Sequence, residues 1–148
     1  MNKKKLEIRK AILKDSKGII EVFMDSAVLN PKDKENKELN KYIINGLKEK
    51  SFFTLVAEID KKIVGVCISN IGRINKISAD LVDIYILKKC RNKKIGARLL
   101  EKLYKELKKR DVKYLGLYSE NNKKTLNFYK KQGFQIGRLI RRCDKILK

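Results

Sequence analysis

The chain has no histidine and a single proline, Pro31, in 148 residues. Without imidazole, a tetrahedral metal site would be short of ligands. Its three cysteines, Cys67, Cys90 and Cys143, are odd in number and widely spaced, which argues against a disulfide framework or a metal cluster. No metal is expected, and the thiols read as small packing residues in a reducing compartment. Long apolar runs are also missing: none approaches the roughly 20 residues of a membrane span. The opening "MNKKKLEIRKA" has cations but lacks the apolar stretch of a secretory signal. A cytoplasmic protein with no membrane partner is the expectation. Repeats, low-complexity linkers and internal boundaries are absent as well, so residues 1–148 read as one domain, long enough to build a core without staples.

Acidic residues are scarce, 17 against 38 lysines and arginines, for a net charge of +21. Such a charge suits nucleic acid, the ribosome, an acidic membrane or a phosphorylated ligand. The cations are mostly lysines spread along the whole chain, whereas nucleic-acid footprints are clustered and rich in arginine or aromatics. A solvated lysine surface is therefore the simpler reading, with an acidic or nucleic-acid partner compatible but not required.

What is present is a regular alternation of strand and helix patterns. "LEIRKA" alternates with period two, and "KDSKGIIEVFMDSAVL" follows as a helix with Asp15 or Ser16 as N-cap and Ile19, Ile20, Val22, Phe23 and Ala27 at helical spacing. Pro31 ends that helix. A polar "KDKENKE" leads to a second helix with Leu39, Tyr42, Ile43, Gly46 and Leu47 on one side. The apolar, β-branched runs "SFFTLVAEI" and "KIVGVCISNI", joined by "DKK", form a hairpin. After a loop around Gly72 come the strand "ADLVDIYIL", the helix "KKIGARLLEKLYKELKKR", the strand "KYLGLYS", the helix "NKKTLNFYKKQ" and a closing strand from Gly133. The expected fold is α/β, a mixed sheet with helices on both faces, in the order β-α-α-β-β-β-α-β-α-β.

Between the strand "DIYIL" and its following helix lies "KKCRNKKIGAR", where Arg91, Lys93, Lys94 and Arg98 crowd around Gly96. A strand that turns into a helix aims the unbonded N–H groups of the first turn, and the positive end of the helix dipole, at whatever lies beyond the strand. With cations beside it and a glycine permitting close approach, this is an arrangement suited to phosphate. An ordinary exposed helix start would have the same spacing. Downstream, "LYSENNKKTLNFYKKQGF" places Asn121 and Asn122 at a helix start, Phe128 and Tyr129 near its end and Gly133 as its C-cap.

The two motifs in this order resemble the acetyl-CoA-binding core of the GNAT superfamily of N-acetyltransferases. The family's Arg/Gln-x-x-Gly-x-Gly/Ala loop corresponds to "RNKKIGA", with Lys94 where a glycine is common. Its Asn, small residue, Tyr and Gly-Phe pair correspond to Asn122, Thr125, Tyr129, Gly133 and Phe134. The resemblance extends over essentially the whole chain and implies a splayed central sheet and an acetyl-CoA-dependent acyltransferase acting on a primary amine of a small molecule, peptide or protein by direct attack. It implies that main-chain groups near Ile84, Ile86 and Leu87 hold the pantetheine arm. The loop Arg91, Asn92, Lys93, Lys94, Ile95, Gly96 and Ala97 would hold the pyrophosphate, and Asn122 and Thr125 would contact the cofactor. Tyr129 would be the general acid for the leaving thiolate, a suitable role for a group protonated at neutral pH; packing as a buried aromatic is its plainer alternative.

With no histidine, the base must be a carboxylate, a tyrosine or a water relay. Asp83 is one candidate, although strand alternation could point it away; Glu120 and Tyr118 are others. Cys90 reads as packing, not as a nucleophile. The segment after Gly133 is short for the two closing strands the family usually has, so the resemblance implies an open acceptor site. Family members often dimerise, yet no apolar stripe in this sequence requires a homodimer. A CoA-binding module without turnover, or a basic protein docked on ribosomal RNA, are the alternative functions.

Overall fold

A computed structural model describes residues 5–26, 37–72, 75–141, 143 and 145. They fall into two compact units, Met1–Leu117 and Tyr118–Lys148. In the first unit the strands are β1 Leu6–Lys10, β2 Phe52–Ile59, β3 Lys62–Ile71, β4 Ser78–Ile86 and β5 Tyr114–Gly116, and the helices are α1 Ser16–Asp25, α2 Lys37–Lys48 and α3 Ile95–Lys108. The second unit contains α4, Lys123–Lys131. Among the described residues no helix is long and apolar enough to cross a membrane.

The sheet runs in the order β1-β2-β3-β4-β5, antiparallel throughout except for the parallel β4–β5 pair. Its centre is the β2–β3 hairpin, closed by Asp60 and Lys61 with φ of 51° and 63°. Two successive positive φ values are what a tight, twist-matched hairpin turn needs, and Asp is among the residues that tolerate them best. Both central strands are covered on both faces, so Phe53 to Ala57 and Ile63 to Ser69 are continuously buried. Alternation still separates the faces. Thr54 and Ile68 line a small space with Ile19 of α1 and Ile43 of α2, whereas Phe53 lies under Arg110, just past α3, with the guanidinium 4.4 Å from the ring centre. Helices therefore cover both faces, as the pattern predicts. Helix α3 buries Ile95, Leu99, Leu100, Leu103 and Leu107, an i, i+4, i+5, i+8, i+12 stripe that follows directly from the 3.6-residue period.

Asp15 precedes α1 but does not cap it with its side chain. A 3-10 turn at Leu13–Asp15 runs straight into the helix, so the carboxylate turns back and accepts from the Ile12 amide at 2.8 Å and from Arg9 at 2.7 and 2.8 Å. The expected positions of Ala27, Pro31 and most of "KDKENKE" lie outside the described residues.

In the second unit α4 is short but closed at both ends. The Asn122 side chain accepts from the Thr125 amide at 2.9 Å, an N-cap of the usual geometry. At the other end Gly133 has φ 89°, its amide donates to Lys130 O at 3.0 Å, and the Phe134 amide donates to Tyr129 O at 3.1 Å. This paired 6→1 and 5→2 pattern is a Schellman motif, and it carries the expected apolar contact, Tyr129 against Phe134 at 5.5 Å between ring centres. The strand expected after Gly133 is not formed: residues 133–141 have no regular structure. Hydrophobic Ile136, Leu139 and Ile140 are there, but each is at least 43% exposed, so no buried face pins the segment as a strand.

Candidate active site

β4 is nine residues long, but β5 pairs only with Ser78, Ala79 and Asp80. β5 ends opposite Asp80, and among the described residues no strand covers the outer edge of Leu81–Ile86. On the inner edge, Val82 has no β3 partner, since Ile68 pairs with Asp83 and Ser69 with Leu81. Such a bulge bends a strand and re-aims the residues next to it. Leu87 donates its amide to Val64 O at 2.9 Å and accepts at its carbonyl from Cys90 at 2.8 Å, so both its backbone groups are engaged. Ile84 and Ile86 lie one residue out of phase and present main-chain groups to the open edge. There the Ile86 carbonyl accepts from Arg91 Nε at 3.2 Å.

The strand then enters a 3-10 turn, Lys88–Cys90, whose first amide donates to Asp25 Oδ2 at 2.5 Å. Cys90 is buried. Arg91, Asn92, Lys93 and Lys94 are all exposed, and both Asn92 and Lys94 have φ of 60°. Helix α3 follows without a side-chain cap from Lys94, and its first bond runs from Arg98 N to Lys94 O at 3.1 Å. The amides of Ile95, Gly96 and Ala97 precede any i−4 acceptor inside the helix. An anion here meets these donors, the positive end of a 14-residue helix and four nearby cations.

Asp83 projects toward the α1 and α2 face, where Tyr42 Oη donates to its Oδ2 at 2.7 Å. Burial and the facing carboxylate hold the Tyr42 phenol well above its ordinary pKa, so it stays a proton donor. Phe23 stacks edge-on against Tyr42 and Tyr85, with centroid distances of 6.3 and 4.9 Å. Burial also pushes the Cys67 thiol up, and a protonated thiol is a poor nucleophile.

In the second unit Tyr129 is buried, with its ring against Phe128 and Phe134. Asn122 uses both ends of its amide locally, accepting from Thr125 N and donating to Glu120 Oε2 at 3.0 Å. Tyr118 is 81% exposed, and Glu120 is exposed too. Two contacts escaped sequence reasoning. The Tyr42–Asp83 bond joins residues 41 apart and the Asp25–Lys88 bond joins residues 63 apart, and no local periodicity predicts either.

The profile of the acetyltransferase (GNAT) domain matches residues 50–136. The chain belongs to the GNAT acetyltransferase family. Solved GNAT-like structures agree with the fold. PaiA N-acetyltransferase from Thermoplasma acidophilum, in complex with coenzyme A, is 24% identical with a TM-score of 0.78, covering 90% of this chain and 91% of its own. The aminoglycoside N-acetyltransferase AAC(6')-Iy, also with CoA, is 13% identical with a TM-score of 0.81 and 97% of each chain covered. A ribosomal-protein-alanine N-acetyltransferase from Brucella melitensis biovar Abortus 2308 is 16% identical with a TM-score of 0.71, covering 96% of this chain and 99% of its own. No curated protein matches the sequence. This GNAT chain is thus an acetyltransferase, of a family whose acetyl donor is acetyl-CoA.

Proposed function

We propose that the protein transfers the acetyl group of acetyl-CoA to a primary amine by direct attack within a ternary complex. The observation that carries this reading is the continuity of the bare β4 edge with the cation-flanked start of α3. An extended amide-containing chain can add to an open strand edge, and a pyrophosphate fits a helix N-terminus. In this reading Ile84 and Ile86 pair with the pantetheine arm, while the amides from Arg91 to Ala97 hold the pyrophosphate. Asn122 orders the start of α4, and the family resemblance gives Thr125 a contact to the donor and Tyr129 the role of general acid. The family match at residues 50–136 spans both compact units, which supports treating residues 1–148 as one functional domain. Three free cysteines suit a reducing, cytoplasmic setting.

Asp83 removes a proton from the acceptor ammonium, and the released nitrogen lone pair bonds to the acetyl carbon. As the C–S bond breaks, its electron pair leaves on sulfur, which takes a proton from Tyr129. The tyrosine recovers a proton from the product nitrogen by way of solvent, and Asp83 releases its proton to solvent. Neighbouring structures give the acceptor panel its starting members, an aminoglycoside such as sisomicin and a ribosomal-protein alanine, to which simple alkyl polyamines are added. Thiol release from acetyl-CoA is the measurement. With the best acceptor, Tyr129→Phe should lower turnover by about a hundredfold to ten-thousandfold, the range of general acid catalysis, while calorimetric acetyl-CoA affinity stays at the wild-type value. Unchanged turnover in that variant would remove Tyr129 from the chemistry. Absence of thiol release by wild-type protein with every acceptor would favour a binding module.

A further inference from the structure

The geometry points to Tyr42 as a positioning residue that holds the Asp83 carboxylate for the acceptor amine. The inference rests on the reading of Asp83 as base. Asp83 is the one acidic residue in the open-edge segment Leu81–Ile86, so it is the carboxylate nearest, along the chain, to the strand edge that would hold the donor. An aspartate on a half-buried strand has several accessible rotamers, and only one directs a given oxygen at an incoming nitrogen. Tyr42, reaching across from α2, fixes that choice by donating to Oδ2 at 2.7 Å. Its ring is itself held by Phe23, and Phe23 by Tyr85, so the donor does not swing freely. One carboxylate oxygen is thereby engaged, and the other is left to receive the amine proton.

A phenol donor suits this task because it does not compete as a base: the same carboxylate and the burial of the ring keep its proton in place. The acceptor enters as an ammonium, gives one proton to Asp83 and attacks as the neutral amine. Tyr42 exchanges no proton and touches no reacting atom. Its contribution is confined to where the carboxylate points, a matter of geometry worth substantial rate when reacting groups must align.

The test is a double-mutant cycle with Tyr42→Phe and Asp83→Asn, using the amine with the highest turnover in the panel above. Tyr42→Phe keeps the ring against Phe23 and removes the hydroxyl alone, and melting curves establish that each variant is folded. Tyr42→Phe is expected to lower kcat about tenfold, the effect of one lost orienting hydrogen bond, with KM for acetyl-CoA unchanged. Added to Asp83→Asn, it should cause no further loss, because its route to the reaction is already cut. An equal loss in both backgrounds would overturn the inference in favour of a structural role, as would wild-type kcat in Tyr42→Phe. Wild-type kcat in Asp83→Asn would overturn both the base assignment and this inference, yet leave acetyl transfer itself intact. No thiol release by wild-type protein with any acceptor would be the separate failure of the transferase reading.

Discussion

Lys94 has φ 60° and ψ 13°, a left-handed conformation that costs an ordinary L-residue roughly 1–2 kcal/mol. The position demands it, because the chain must turn from the 3-10 turn into α3 within a few residues, and a glycine would adopt it freely. Replacing lysine by glycine also loosens the unfolded chain, at a cost of about 0.4–1 kcal/mol. The first effect is the larger, so Lys94→Gly should stabilise the protein by about 0.5 kcal/mol, seen as a higher urea midpoint. A β-branched residue there should destabilise it. A glycine midpoint below that of wild type would mean that the Lys94 side chain contributes more than its backbone strain costs. Asn92, also at φ 60°, is a residue type that tolerates this region. The family motif commonly has glycine at this position, but the dihedral itself depends on the whole turn.

At the scale of elements, the approach of α1 to β3 is set by Gly18. A Cβ at this position would stand 2.8 Å from Ile63 Cγ1 and 2.9 Å from Ile63 Cβ. Intrinsic propensity favours Gly18→Ala by up to about 1 kcal/mol in a helix, whereas overpacking a fitted core costs about 1–3 kcal/mol. The clash involves the rigid root of a β-branched side chain, not a mobile tip, so the packing cost wins. Gly18→Ala should be destabilising by about 1 kcal/mol in chemical denaturation. Combined with Ile63→Ala, the same change should become neutral or favourable relative to Ile63→Ala alone; persistence of the full penalty there would place the strain elsewhere. Helix α4 obeys the opposite logic: its nine residues are held mainly by local caps at Asn122 and Gly133. This is why its existence and its glycine terminus could be read directly from sequence.

For the molecule as a whole, the excess of cations leaves Asp15, the one buried carboxylate among the described residues, with a strong partner. Arg9 bonds Asp15 and also Glu58 through Nε at 3.1 Å, tying β1, β2 and the turn before α1 together. The hydrogen bonds from Arg9 hold the Asp15 carboxyl below its ordinary pKa, against the effect of burial. A depressed folded value means that the stability it supplies is fully present above the unfolded value, about pH 4, and is lost as pH falls through the folded value. Asp15→Asn should therefore be less stable than wild type at pH 7, with the gap closing progressively below about pH 4 in thermal melts. A gap independent of pH would assign the loss to packing. The remaining charge is carried mostly by exposed lysines, and exposed pairs such as Lys41–Glu38 and Lys105–Glu101 contribute little to stability.

The sequence alone determined the family and the elements from β1 to α4. Hydrophobic period, caps and turn residues act over a few residues, and the paired motifs around Gly96 and Tyr129 are contiguous strings. Tertiary structure decided what depends on distant partners. β5 ends opposite Asp80, so among the described residues no strand pairs with the outer edge at Ile84 and Ile86, and Arg9 draws Asp15 away from the helix that Asp15 or Ser16 was expected to cap. Tyr42, which the helical pattern assigned simply to an apolar face, donates to Asp83 across the fold. The closing strand shows the same division from the other side. Residues 134–140 contain the apolar side chains a strand requires, but a strand exists only where another strand accepts its hydrogen bonds and a core covers its face.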